Sequence, residues 1–323
     1  MLHMRSIAQR PRSLLLSACA LAALSAALSA TSFGWAAAGF DPGPPRAKPS
    51  KSVKKLKKSR GRGFGPAPAA SGASAGPVTR EEKRRQQRLG KDPSMNDARK
   101  ILLSQMAEQR FAVGEVDVDL VIPAYVLDLN RFAREVESGA GTVSDIVWPA
   151  EQVLAQTLLQ RKELWQARGL CEIGAGLGLA GIAAAKSGAP HVLLSDRDAL
   201  VLDLSKQSAQ RNGVAERVTF AAFDWSDKDS WPKPFGGMTA AADVLYDKQV
   251  VAWLVDLIVH FAGPALLVEP DNVERRQLGS VPYFEEVARS RGLAVTTESC
   301  LNPSQPSSPM LLISINQAVD TSR

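Results

Sequence analysis

The sequence predicts an α/β protein: a parallel sheet with helices on both faces, closed at its end by an antiparallel hairpin. Two observations carry this expectation. From residue 148 onward, short apolar runs alternate with segments of about 10–15 residues whose apolar positions recur at helical spacing, the order that βαβ units produce. Near the end, two strand-like runs follow one another across a Pro/Ser loop with no helix between them, and strands joined in that way pair antiparallel.

The expected parallel strands are residues 170–173, 191–195, 218–221, 241–245 and 265–269. Helices are expected at about 179–187, 199–212, 249–261 and 283–291, and the closing hairpin at 293–299 and 310–315. Ahead of the first strand, Pro149 suits a first helical turn, because the N–H it lacks has no partner there anyway. Val153, Leu154, Thr157 and Leu158 then form an apolar stripe. Further upstream, residues 81–110 are charged and then periodic (Ile101, Leu102, Gln105, Met106, Gln109), which predicts a helical lead-in. Residues 113–122 alternate as a half-buried strand would. Residues 131–138 predict a short helix, broken at 139–141.

At 323 residues and 45% apolar, the chain has room for one ordinary domain with a proper core and about a hundred residues more. Its net charge of +6 averages two unlike regions. Residues 1–100 hold 20 Lys and Arg against 5 Asp and Glu, a net of +15, whereas the remainder holds 19 against 28, a net of −9. The domain is therefore acidic, and a specific nucleic-acid partner is not expected.

Arg5, Arg10 and Arg12 precede an uncharged, Ala/Leu-rich run from 14 to 30 that ends in small residues, the pattern of a signal peptide. The run is at the short edge for a bilayer span, so no stable span is expected in the mature form. Between Asp41 and Glu81 no acidic residue occurs, while Lys51, Lys54, Lys55, Lys57, Lys58, Arg60 and Arg62 cluster. That composition is transit-peptide-like and too polar to offset its ordering entropy, so disorder is expected there. The chain thus divides into a targeting segment at 1–40, a basic region at 41–95 and the domain at 96–323. The pair of segments resembles the bipartite presequences of algae with secondary plastids. Phe33 stands where such presequences often carry an aromatic, so a plastid is expected, with the mitochondrion as the alternative.

Cys19, Cys171 and Cys300 form no Cys-x-x-Cys, and His3, His191 and His260 are scattered, so neither a metal site nor a disulfide framework is expected. Chemistry concentrates in residues 170–189, LCEIGAGLGLAGIAAAKSGA. A strand ends in Glu172, and Gly174, Gly176 and Gly178 lead into an Ala-rich helix. Glycine there allows positive φ and a close approach of ligand to backbone. Gly176, Gly178 and Gly181 also satisfy the G-x-G-x-x-G spacing of dinucleotide sites. Glu172 argues against that cofactor: a carboxylate repels a pyrophosphate but suits the ammonium of a methionine moiety. Asp196, at the end of the next strand, is placed to accept ribose hydroxyls in either case. Trp148, Trp225 and the run from Ala242 and Asp243 to Tyr246 also fall along the carboxyl edge of the expected sheet, where a Trp can stack an adenine or wall in a sulfonium.

VWPAEQVLAQ, LCEIGAGLGLAGIAAA, SDRDAL, FDWSD and ADVLYD together resemble the lysine methyltransferase family (methyltransferase family 16), over about residues 147–267. The resemblance implies the seven-stranded Rossmann-like methyltransferase fold and S-adenosyl-L-methionine as cofactor. It implies a cofactor shell of Trp148, Glu172, Gly174, Gly176, Gly178, Asp196, Trp225 and Ala242. It sets Asp243 and Tyr246, the family's Asp-x-x-Tyr, near the methyl acceptor, expected to be a lysine of a protein substrate. After the fifth strand, Glu269-Pro270-Asp271-Asn272 departs from the Lys/Arg-containing ending of some members. A small-molecule N-methyltransferase, a nicotinamide-nucleotide-binding protein and an inactive cofactor-binding protein are the alternatives, and a monomer is the default.

Overall fold

The computed structural model describes residues 93–303 and 305–317. The targeting segment expected at 1–40, and the basic region expected at 41–95 as far as residue 92, lie outside the described residues. The order opens with α1 (Pro93–Ser104), β1 (Met106–Val113) and β2 (Val116–Pro123), the two strands forming an antiparallel hairpin of their own. This corrects two expectations, a helix running to 110 and a single strand over 113–122. Gly114 takes φ +56°, reversing the chain between Val113 and Val116. Met106 and Gln109 fit helical spacing as well as strand alternation, and cross-strand pairing decides. Phe111 and Val113 are buried on one arm, Val118, Leu120 and Ile122 on the other, and Arg110 meets its opposite residue Asp119 at 2.7 Å.

The expected short helix is α2 (Leu129–Ser138), started by the Asp128 carboxylate on the Asn130 and Arg131 N–H groups and stopped by Gly139 in the left-handed conformation. Next comes α3 (Pro149–Gln160), with Pro149 in its first turn. The rest is β3 (Leu170–Ile173), α4 (Leu179–Lys186), β4 (Val192–Asp196), α5 (Ala199–Arg211), β5 (Val218–Ala222), β6 (Met238–Ala242), α6 (Lys248–Phe261), β7 (Ala265–Pro270), α7 (Val273–Leu278), α8 (Ser280–Ser290), β8 (Leu293–Asn302) and β9 (Gln305–Gln317).

The sheet runs β5-β4-β3-β6-β7-β9-β8; the first five are parallel, and β9 pairs antiparallel with both β7 and β8. This is the seven-stranded arrangement the sequence predicted. Alternation along each strand builds two cores. Leu170, Val192, Leu194, Leu266 and Val268 face α3, α4, α5 and the β1–β2 hairpin, while Cys171, Ile173, Leu193, Leu267 and Ile313 face α6 and α8. β6 ends three residues earlier than expected. Val244 and Leu245 read as strand because they are buried, but they are buried in a loop: the chain leaves the sheet at Asp243, where φ is +54°. The short helix α7 was not expected. Among the described residues no helix is long and apolar enough to cross a membrane, and no His/Cys/Asp/Glu cluster is placed to hold a metal ion.

Candidate active site

The sheet order reverses between β3 and β6, which makes the carboxyl ends of these strands the switch point where ligands bind in open α/β sheets. The expected residues come together there. At Gly174, φ +66°, the space a Cβ would need is filled by the Trp225 indole at 3.1 Å and Val244 at 3.3 Å. At Gly178, φ +76°, it would lie 2.7 Å from Leu194. Glycine is required at both positions, and the groups it makes room for are the protein's own walls. The Gly176 N–H donates to Asp196 Oδ2 at 3.0 Å, and Asp196 Oδ1 accepts from the Asp198 N–H at 3.0 Å. The end of β4 is thereby fastened to the glycine turn. Burial raises the Asp196 carboxyl above its ordinary range, partly offset by these two N–H donors.

Glu172 shares the strand face of Leu170 and points under α4. It is 1% exposed; Oε2 accepts the Gly181 N–H at 2.7 Å, and Oε1 is buried without a partner. Beside it stands Glu151 from the first turn of α3, which accepts the Ala180 N–H at 2.8 Å. Burial raises both carboxyls above their ordinary range, Glu172 the more because Glu151 lies against it. Helix N–H groups of this kind hold the phosphates of a dinucleotide in other folds. Here two of them are already taken by carboxylates.

Trp148 caps the start of α3, and its Nε1 donates to the Val143 carbonyl at 2.9 Å. This orders the strap 142–148, whose Ser144 carbonyl faces Gly176. Arg99 of α1 secures the strap from behind. It donates to both oxygens of Asp145, each at 2.9 Å, and also pairs with Asp198, the N-cap of α5. Asp145 is fully buried and takes the Tyr125 hydroxyl as well. Arg99 and Asp145 were not foreseen, because their spacing of 46 residues leaves no local pattern. Glu151 was missed for another reason: an acid in a first helical turn looks like an ordinary partner of the helix dipole.

The other end of the cleft gathers Ala242, Asp243 and Tyr246. Ala242 ends β6, half-buried, and the Asp243 N–H donates to the Val268 carbonyl at 2.9 Å. Glu269 of β7 accepts the Val244 and Leu245 N–H groups at 2.8 and 3.1 Å through Oε1, while Oε2 is buried without a partner. Burial, and then Asp243, push the Glu269 carboxyl up to about 8. The Asp243 carboxylate accepts from Arg275 of α7. Tyr246 is 44% exposed, within electrostatic reach of both Asp196 and Asp243.

The sheet has the seven-stranded Rossmann-like order of methyltransferase folds, and acids ring its glycine turn where a pyrophosphate would have to sit, an arrangement that suits S-adenosylmethionine better than a dinucleotide. The residue types fit that cofactor: Glu172, whose Oε1 has no hydrogen-bond partner, would take its ammonium, and Asp196, beside the glycine turn, would take its ribose hydroxyls. Residues 131–288 match the model of the lysine methyltransferase family. Among curated proteins, it is 36% identical over 107 residues to the rat histone-arginine methyltransferase METTL23, covering 32% of this chain and 47% of that one. It is 27% identical over 152 residues to the zebrafish electron transfer flavoprotein beta subunit lysine methyltransferase, covering 43% and 57%. It is 29% identical over 153 residues to mouse protein-lysine N-methyltransferase EEF2KMT, covering 42% and 46%. The chain spans about half the length of the curated relatives it matches. Among solved structures, a Bacillus cereus O-methyltransferase in complex with SAH aligns at a TM-score of 0.39 and 14% identity, over 56% of this chain and 86% of that one.

Proposed function

We propose that the protein transfers a methyl group from S-adenosylmethionine to a lysine side chain of a substrate protein. The observation that carries the cofactor half is the Glu151–Glu172 pair on the first turn of α4, which fills a dinucleotide's anion site with acid. The family of the domain and the acid-lined acceptor end support the lysine. The bound cofactor supplies an electrophilic methyl on a sulfonium, whose loss leaves a neutral sulfur, so no strong general acid is needed. The chain's own residues do the rest. Glu172 and Asp196 hold the polar ends of the cofactor, Trp148 and Trp225 exclude water, and Asp243 draws the acceptor's ammonium to the end of β6. The nucleophile must be the neutral amine, so Asp243 orients and desolvates rather than reacts. Tyr246 at the mouth donates to or accepts from the amine as it sheds its proton.

Arginine is the second reading. It rests on the likeness to METTL23 and on the fact that Asp243 already accepts a guanidinium within the chain. Incubating the protein with isotope-labelled S-adenosylmethionine and a lysate of its organelle, then mapping the label by mass spectrometry, decides: label on a lysine supports the proposal, and label on an arginine replaces it. The presequence pattern supports delivery to a plastid, and a fluorescent fusion of residues 1–100 that stays diffuse in the cytosol would reject it.

A further inference from the structure

The acceptor end holds a cation before any substrate arrives. Arg275 pairs with Asp243, the two side chains being 21% and 10% exposed. An aspartate so enclosed is costly to leave alone, and Glu269 behind it adds a second carboxyl with one oxygen buried and unpartnered. The helix that delivers Arg275 is only lightly held. α7 has six residues and none of them is buried; its start is fixed by Asn272 Oδ1 on the Arg275 N–H at 2.9 Å, and its end by Gly279 in the left-handed conformation. Its neighbour Arg276 turns away to Asp271 at 2.6 Å. A segment with so few buried contacts moves at small cost.

Taking Asp243 as the acceptor's carboxylate, as proposed above, we infer that Arg275 is a specificity-determining place-holder: it occupies Asp243 until the cationic side chain of the substrate displaces it. Three consequences follow from that exchange. Asp243 stays paired, and its field stays neutralised, while the cleft waits. A neutral side chain entering the cleft has nothing to offer Asp243 in place of Arg275, so it is rejected. The affinity for a cation is reduced by whatever free energy the internal pair holds, so removing the guanidinium charge should tighten binding.

The test uses the full chain saturated with S-adenosylhomocysteine and titrated with n-butylammonium, a mimic of the lysine side chain, followed by NMR shifts of the Val244 and Leu245 amides. Arg275→Gln is expected to bind n-butylammonium at least about tenfold more tightly than the wild type, and Arg275→Lys, which keeps a cation, less than about threefold more tightly. Adding Asp243→Asn to Arg275→Gln should abolish the gain. A cooperative thermal transition and wild-type S-adenosylhomocysteine affinity show that the variant is folded. Equal or weaker amine binding by folded Arg275→Gln overturns the inference and makes Arg275 a positioning residue for Asp243. A variant that fails to fold overturns it too, since a place-holder on an unburied helix is dispensable for folding. A wild type that does not bind S-adenosylhomocysteine overturns the proposed function as well, which separates the two failures.

Discussion

The two ends of one cleft are built differently. The heart of the proposed cofactor end is local and buried: Glu172 contacts Gly181 nine residues on, Gly176 contacts Asp196 twenty residues on, and Glu172 and Asp196 are 1% and 6% exposed. The acceptor end is assembled from three separate elements, with Asp243 after β6, Glu269 on β7 and Arg275 on α7, and it opens to solvent at Tyr246. The enclosed end suits a ligand that never changes. The open end rests on a helix with no buried residue, which suits a ligand that must enter and leave.

Substitutions should separate the two ends. The largest effect belongs to the cofactor end. Gly178→Val puts a β-branched residue at φ +76° with its Cβ against Leu194, and should lower stability by about 3 kcal/mol or more in urea unfolding, with cofactor affinity lost. Next is Asp243→Asn, chosen because Asn tolerates positive φ. Methylation should fall on the order of 100-fold through misplacement of the acceptor, with cofactor affinity and melting temperature nearly unchanged. A parallel loss of cofactor affinity would erase the distinction between the two ends.

A pH experiment on one substitution probes the acceptor end. Glu269 titrates near 8 in the folded chain against an ordinary 4.5, so folding takes up a proton there between those values. Stability from this group is therefore greatest below about 4.5 and declines as the pH rises through that window toward 8. Glu269→Gln should flatten the dependence of melting temperature on pH over that interval, and an unaltered slope would contradict the effect of burial on Glu269. Smallest is Tyr246→Phe at the exposed mouth. A fall in kcat of about threefold is expected, the worth of one hydrogen bond, with no change in melting temperature.

The same contrast explains what could be read from the sequence. The glycine turn, Glu172 and Asp196 announce themselves because strand, turn and helix follow one another within a few residues and each has a local signature. The parallel strands were legible from their apolar runs, with β3 matching residue for residue. Where reading failed, burial and periodicity disagreed. Val244 and Leu245 are apolar because they are buried in a loop that Glu269 fastens by its backbone, and β1 resembled helix until its pairing with β2 was known. Arg99 with Asp145, and Arg275 with Asp243, meet only in three dimensions, and a basic residue on a short surface helix gives no sign of the carboxylate it will find.

Calorimetry with S-adenosylhomocysteine reaches the central claim most directly. The wild type and Asp243→Asn should bind it with Kd values within about twofold of each other, and Asp196→Ala at least about tenfold more weakly. No affinity in the wild type, or an Asp243→Asn variant as impaired as Asp196→Ala, would contradict the account.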